Sequence, residues 1–456
     1  MGNAVTVVDT AVAIDTVWVV VAGCLVLFMQ AGFAMLEVGF SRMKNSGAVM
    51  AKVLVNLCFA FAVFWAIGYA IAFGDGNDLV GATGWFIELG NPDGVSSLAY
   101  SAVDENTKWF FQATFAAVAL AIVWGSMLDR VRFGAYLPFA VLFVGVIYPV
   151  VVHWQWGGGW LLQQGFQDFA GSGVVHVCGA TAALAGAIVV GPRIGKFRDG
   201  RPVPIPGHSM PLAILGVLIL WVGWQGFNAG SWLGAVGQDL GRVLVVTNLS
   251  GVFGVLGATI VAYLLLGTLD IAMMGNGAVA GLGAIAGPCG FVAPWGGALI
   301  GLVAGALMVL LVLGVDRIGV DDPIGAVAGH GGGGTIGVLA PGFLTTPSAA
   351  TLLGGSEGLV YGGGLGQLGW QVVGWAAIVA FTFVTSWLAF QAIAHTIGLR
   401  SPENAELQGL DIVEHGMYGY PERFIEVLGA TPDDPISHLA GPFAPASSTT
   451  PGGETP

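Results

Sequence analysis

Charge is scarce in this chain. Asp, Glu, Lys and Arg make up 9% of its 456 residues, against about 25% in a soluble globular domain. Cysteine is scarcer still. Cys24, Cys58, Cys178 and Cys289 form no CxxC pair and offer no metal-ligand spacing with histidine, so they read as small apolar packing residues. No P-loop, dinucleotide-binding fingerprint or HExxH stretch occurs, which removes an ATP-driven pump from the leading readings. The net charge of −13 argues against nucleic acid as a partner. Ahead of the first apolar run stand Asp9 and Asp15 with no basic residue, so a cleaved secretory leader is not expected.

What the chain has in abundance is apolar length and glycine. Hydrophobic residues make up 55%, and mean hydropathy is +0.81. Runs of about 20 apolar residues, enough to cross the roughly 30 Å hydrocarbon core as a helix, are separated by short charged segments. Eleven spans are expected, near 17–39, 47–73, 109–128, 133–152, 169–191, 209–230, 242–266, 273–287, 293–315, 324–344 and 366–397. The fold class is therefore an all-α integral membrane protein. Residues 1–400 would form the membrane domain and 401–456 a tail, polar and Pro/Ser/Thr-rich toward its end, with 440–456 expected to be disordered. Glycine, at 75 residues, lets membrane helices approach closely where lipid supplies no hydrophobic drive.

The few cations orient the chain. Arg42, Lys44, Lys52, Arg130, Arg132, Arg193, Lys196, Arg198, Arg201, Arg317, Arg400 and Arg423 fall on one set of connections, Lys108 and Arg242 on the other, 12 against 2. That predicts the N-terminus outside and the C-terminus inside. The external 74–108 loop is acidic, with Asp75, Asp78, Glu88, Asp93, Asp104 and Glu105. It reads as a solvated loop, though such a loop also concentrates cations.

Ionisable groups inside a membrane are costly and mark substrate paths by default. Asp168 precedes His176 by eight residues, and Asp322 precedes His330 by eight; both pairs share glycine at +3 (Gly171, Gly325) and at +11 (Gly179, Gly333). The match joins spans five and ten. A weaker one joins spans one and six, Gln30-Ala31-Gly32-Phe33 against Gln225-Gly226-Phe227-Asn228. Five spans per half means an inverted repeat, which puts a site near the midplane at the repeat interface. There His176 and His330 would meet. Within one helix each Asp and His are about 12 Å apart and cannot touch. Asp322, before Pro323, is expected to be mainly an N-cap. Asp168 keeps two readings, a cap and a substrate contact. From spacing alone, Phe111 and Phe115 read as packing aromatics on one helix face, Trp156 as an interfacial ring and Ser231 as a helix cap. His153 reads as an interfacial histidine.

These residues also carry a resemblance. DFAGSGVVHVCGATAALAGAIVVGPR from Asp168 to Arg193 resembles the hallmark of the ammonium transporter (Amt/MEP/Rh) family, Amt branch. QAGFAMLEVGFSRMKN at 30–45, FQATFA at 111–116, WGGGW at 156–160, WQGFNAGS at 224–231, DDPIGAVAGHGGGG at 321–334 and GLRSPENAELQGLDIVEHG at 398–416 extend it over most of the chain. The resemblance implies eleven helices with an inverted five-helix repeat, and a homotrimer in the plasma membrane with one pore per subunit. It implies a transporter, not an enzyme, with no cofactor. His176 and His330 would line an apolar pore in mutual contact. Phe115 and Phe227 would gate it from outside. Trp156, Ser231, Phe111 and Phe115 would form the external vestibule that recruits ammonium, with Asp168 nearby. At the cytoplasmic face, relatives are often blocked by a PII signalling protein, and 398–416 resembles the family's regulatory tail.

The chemistry suits those residue types. Aromatic faces attract a small cation by about 0.5–2 kcal/mol each, and a serine hydroxyl accepts one of its hydrogen bonds. An isolated charge in a dry pore is very costly, whereas neutral ammonia is not charged. Paired imidazoles donate, accept and relay protons. Potassium has no proton to lose, so a dry segment excludes it. Two other readings stay open: a Rh-type channel for ammonia or carbon dioxide, which generally lacks the Trp156/Ser231 vestibule, and an ammonium sensor that also transports. One departure from the resembled family stands out: Gly331 to Gly334 stand where many of its members carry bulkier residues, predicting a loosened or re-packed second half of the pore.

Overall fold

The computed structural model describes residues 7–87 and 95–421. Glu88, Asp93, Arg423 and the 440–456 stretch lie outside the described residues.

The described chain is mostly helical. Nine helices are long and apolar enough to cross a membrane: α1 (Asp9–Phe40), α2 (Met43–Phe73), α3 (Glu105–Gly125), α4 (Phe133–Gln163), α5 (Ser172–Val190), α6 (Met210–Gly230), α7 (Leu240–Leu266), α9 (Pro294–Arg317) and α11 (Gly366–Thr396). Between them lie α8 (Ile271–Ala286), apolar but shorter, and α10 (Val327–Leu344), which bends by 106° into a further helix, Pro347–Leu353. Each apolar run expected from sequence thus has a helix. The bounds differ. The first helix starts well ahead of residue 17, because α1 continues past the hydrocarbon-length run. The tenth begins at Val327, because Pro323 and Gly325 hold the preceding residues in a turn. The all-α expectation needs one addition: a two-residue hairpin pairs Phe197–Arg198 with Arg201–Pro202. Asp199 (φ 51°) and Gly200 (φ 73°) supply its tight turn.

Helices five apart in order pack on one another, α1 on α6 and α5 on α10. Glycine makes the α1–α6 seam possible. A Cβ on Gly39 would lie 2.4 Å from the Ala213 nitrogen, and one on Gly216 would lie 2.3 Å from the Leu36 nitrogen. Backbone meets backbone there, as small residues allow in lipid. Polar side chains close the helix starts. Asp104 accepts from the Asn106 and Thr107 amides before α3, and Asp270 accepts from the Met273 amide before α8.

At one end the basic residues are engaged by buried acids. Arg193 donates to both carboxylate oxygens of Asp321 (2.9 and 3.0 Å) and to Asp129 (3.2 Å). Burial alone would raise the Asp321 pKa, but the Arg193 hydrogen bonds and the nearby Arg130 charge hold it down at about 2. Two short helices follow α11, α12 (Glu403–Gln408) and α13 (Leu410–His415). They pack onto this end. Asp411 accepts from the Gly47 and Ala48 amides at the start of α2 (3.0 and 2.7 Å), and Glu406 takes Arg400 at 2.8 Å.

Candidate functional site

The two histidines lie side by side. His176 and His330 are 0% and 1% exposed. Their Nδ1 atoms are 3.2 Å apart, and the rings stack at 5.2 Å between centroids. One Nδ1 must donate and the other accept, so the two rings adopt opposite tautomers. The local backbone explains the shared spacing. Each histidine sits in a π-helical turn, Ser172–Val177 at the start of α5 and Val327–Gly332 at the start of α10. Such bulges occur often at functional sites. The glycine at +3 is left-handed in both halves, Gly171 at φ 108° and Gly325 at φ 76°. The glycine at +11 permits close helix contact in both. A Cβ on Gly179 would lie 2.8 Å from the Ala119 carbonyl oxygen, and one on Gly333 would lie 2.5 Å from that of Ala280.

Both aspartates are caps. Asp168 Oδ2 accepts from the Gly173 and Val174 amides (2.9 and 2.8 Å). Asp322 accepts from the Ala326 and Val327 amides (3.0 and 2.8 Å) and from the Ser126 hydroxyl (2.8 Å). Because its bonds reach four and five residues on, Asp322 stands one turn ahead of the helix, and Pro323 is in that turn rather than at the first helical position. The two differ in their second oxygen. Asp168 Oδ1 is buried with no hydrogen-bond partner among the described residues.

A column of rings leads to the histidines. Phe111 lies 4.7 Å from Phe115, and Phe115 stacks on Phe227 at 4.1 Å. Phe227 in turn lies 5.6 Å from His176. Above the stack is a cavity of about 440 Å³, lined by Phe111, Phe115, Trp156, Asp168, Ser231 and Trp232 among others. The Trp156 indole meets Phe115 edge-on at 5.9 Å, and its N–H donates to the Asp168 carbonyl (2.9 Å). The Ser231 hydroxyl donates to the Phe227 carbonyl (2.8 Å), which leaves its lone pairs for an N–H donor. The eight residues to which the resemblance gave a pore, gate or vestibule role therefore fall on one line, cavity then stack then histidines. The same bond also makes Ser231 the cap that its spacing suggested.

Sequence reasoning missed the rings that flank the histidines. Trp224 lies 5.7 Å from His176, and Phe33 lies 6.1 Å from His330. Both stand in quoted motifs, but nothing in their spacing separated them from packing. His153 is 3% exposed, and its ring nitrogens meet the Ala72 and Asn77 carbonyls at 3.0 and 2.8 Å. Of the two readings of the four-glycine run, the structure goes against the loosened one. A Cβ on Gly332, Gly333 or Gly334 would come within 2.3, 2.5 and 2.7 Å of neighbouring atoms, so the run is tightly packed, not loose. Of the cysteines, Cys178 and Cys289 are buried, as packing residues should be, whereas Cys24 and Cys58 are exposed.

Comparison with known proteins gives concordant results. The model of the Ammonium Transporter Family matches residues 17–420. "Ammonium transporter Amt2" of Archaeoglobus fulgidus is 41% identical over 423 residues, covering 90% of this chain and 88% of that protein. Among solved structures, "Sensor Amt Protein" is similar with a TM-score of 0.82 and 32% identity, covering 89% of this chain and 99% of its own. Mep2 of Candida albicans is similar with a TM-score of 0.80 and 28% identity, covering 90% and 91%.

Proposed function

The chain belongs to the Ammonium Transporter Family, and from that premise we propose how it handles its substrate. Ammonium is drawn into the aromatic cavity by the faces of Trp156, Phe111 and Phe115. The Ser231 hydroxyl and the free oxygen of Asp168 accept its N–H bonds. The cation loses a proton at or below the Phe115/Phe227 stack, since a charge in the dry segment beyond is very costly. Ammonia then passes His176 and His330, which offer it a donor and an acceptor in turn. The observation that carries this reading is the 3.2 Å Nδ1 to Nδ1 contact at the foot of the ring column. On this reading the two imidazoles are neutral and complementary, and they put no fixed charge on the path. The cavity residues Trp156 and Ser231 favour this cation-recruiting scheme over a channel for neutral gases.

The wider setting follows from the same premise. We place the protein in the plasma membrane as eleven crossings in two inverted halves. The N-terminus is outside, and the Arg193–Asp321 end and residues 401–456 lie in the cytoplasm. A homotrimer with one pore per chain, and regulation by a PII protein at the docked tail, complete the proposal.

The test is methylammonium uptake in cells stripped of their own transporters, which separates transport from sensing. Uptake by the unmodified chain is expected. His176→Ala and His330→Ala should each change conduction about tenfold or lose discrimination against potassium, with the assembly intact. Wild-type selectivity in both variants would leave the pair a packing role only, and no uptake by the parent would sink the reading.

A further inference from the structure

Deprotonating ammonium leaves a proton that must also be accounted for, and one buried acid has no part in the scheme above. Glu37 lies in α1, inside an apolar run, and is 2% exposed. Its Oε1 is buried with no hydrogen-bond partner among the described residues. An intramembrane carboxyl group of this kind is a functional candidate by default, and its neighbours should be named.

Glu37 shares a helix face with Phe33, four residues earlier, and with Gln30, seven residues earlier. Phe33 touches His330. Glu37 is therefore one turn, about 5–6 Å, beyond the ring that flanks His330. Gln30 opens a polar seam between helices. The Asn56 amide of α2 donates to Gln30 Oε1 (3.1 Å), and the Tyr136 hydroxyl of α4 donates to Asn56 Oδ1 (2.7 Å). Gln30 Nε2 is likewise buried and unpartnered. An unused donor and an unused acceptor thus lie about 10 Å apart along one face, bracketing Phe33. The charged group whose field reaches Glu37 is Lys52 of α2, and Tyr136 is the other titratable group close enough to interact with it. Lys52 is itself 5% exposed, and its ammonium donates to the Val131 carbonyl at 2.9 Å. A plain ion pair therefore does not account for Glu37, since no Glu37–Lys52 contact falls within 4 Å among the described residues. Val131, whose carbonyl takes the Lys52 ammonium, follows Asp129 by two residues, so Lys52 stands at the end that holds Asp129.

We propose that Glu37 is a proton-relay residue of the transport reaction, taking up a proton beyond the His176–His330 pair and releasing it toward the Lys52 end. The proton is the one lost when ammonium becomes ammonia. The carboxylate gains it to become a carboxylic acid, then returns it to water, so nothing is consumed. The proposal rests on the transporter reading.

The test uses the purified full chain in lipid vesicles. Ammonium-pulse current is recorded on a supported membrane, and ammonia flux is followed independently of protons as nitrogen taken up, with an isotope-labelled ammonium or methylammonium tracer. Glu37→Gln should lower current by at least about tenfold while ammonia flux stays within about twofold. Glu37→Asp should restore current with a displaced pH profile. Unchanged current in Glu37→Gln overturns the relay. So does a parallel fall of current and ammonia flux in both variants, which marks a structural role. If Glu37→Gln does not fold, Lys52→Met serves: a displaced pH profile supports the relay, and an unmoved one overturns it. Ammonia flux without current in the parent protein also overturns the relay and leaves the transporter reading standing. Absence of any ammonium-driven flux would instead defeat that reading.

Discussion

Asp168 and Asp322 hold the same place in the repeated motif, yet their surroundings separate them. Asp322 has both oxygens engaged, by two amides and the Ser126 hydroxyl. Asp168 lines the cavity and keeps one buried oxygen without a hydrogen-bond partner among the described residues. Asp322→Asn is therefore expected to cost about 0.5–2 kcal/mol as a weakened cap and to leave uptake within about twofold. Asp168→Asn should cut methylammonium uptake by more than about tenfold at a similar loss of thermal stability. Equal losses of uptake would mean that both residues act only as caps. The sequence could pair the two aspartates but not rank their second oxygens, because that depends on Ser126, a residue 196 positions from its partner.

The start of α10 shows what a glycine run does for an element. A Cβ on Gly332 would meet the far end of the Leu311 side chain, whereas one on Gly333 would meet the backbone oxygen of Ala280. A side chain can turn aside and a backbone cannot. Gly333→Ala should therefore lower the melting temperature in detergent clearly, as overpacking by about 1–3 kcal/mol would, and Gly332→Ala should do so much less. Equal melting temperatures would contradict the packing. The helices themselves were legible in the sequence, because hydrocarbon-length apolar runs leave few alternatives. The π-turns at His176 and His330 were not, since a one-residue change in winding leaves no mark in hydropathy. Only the repeated glycines at +3 and +11 hinted at them, and their cause, a left-handed backbone and a close helix neighbour, became readable once the helices were in place.

Across the whole molecule, the buried acids and bases tie the helix ends to the tail. Arg193 joins Asp321 and Asp129, Arg42 joins Asp129 at 3.2 Å, and the Lys44 ammonium donates to the Glu406 carbonyl at 2.8 Å. Removing one partner strands buried charge. Arg193→Met should cost about 3–5 kcal/mol, read as a large drop in melting temperature. Because the Asp321 pKa is depressed, to about 2, its contribution is complete above the unfolded value near 4 and is lost as pH falls toward 2. The melting difference between parent and variant should thus stay flat through neutral pH and shrink only in strong acid. The charge count had sorted these cations onto one set of connections, but their partners come from loops far apart in the chain, which composition does not register. The ring stack above the histidines is closed. Phe115 and Phe227 lie 4.1 Å apart and are 1% and 0% exposed, so no standing file of solvent threads between them. If substrate takes the path proposed above, each passage must wait for an aromatic ring to swing inside a packed interior. Throughput is then a count of ring excursions, with a ceiling that added substrate does not lift, and warming quickens it as it quickens a barrier crossing rather than as it thins a liquid.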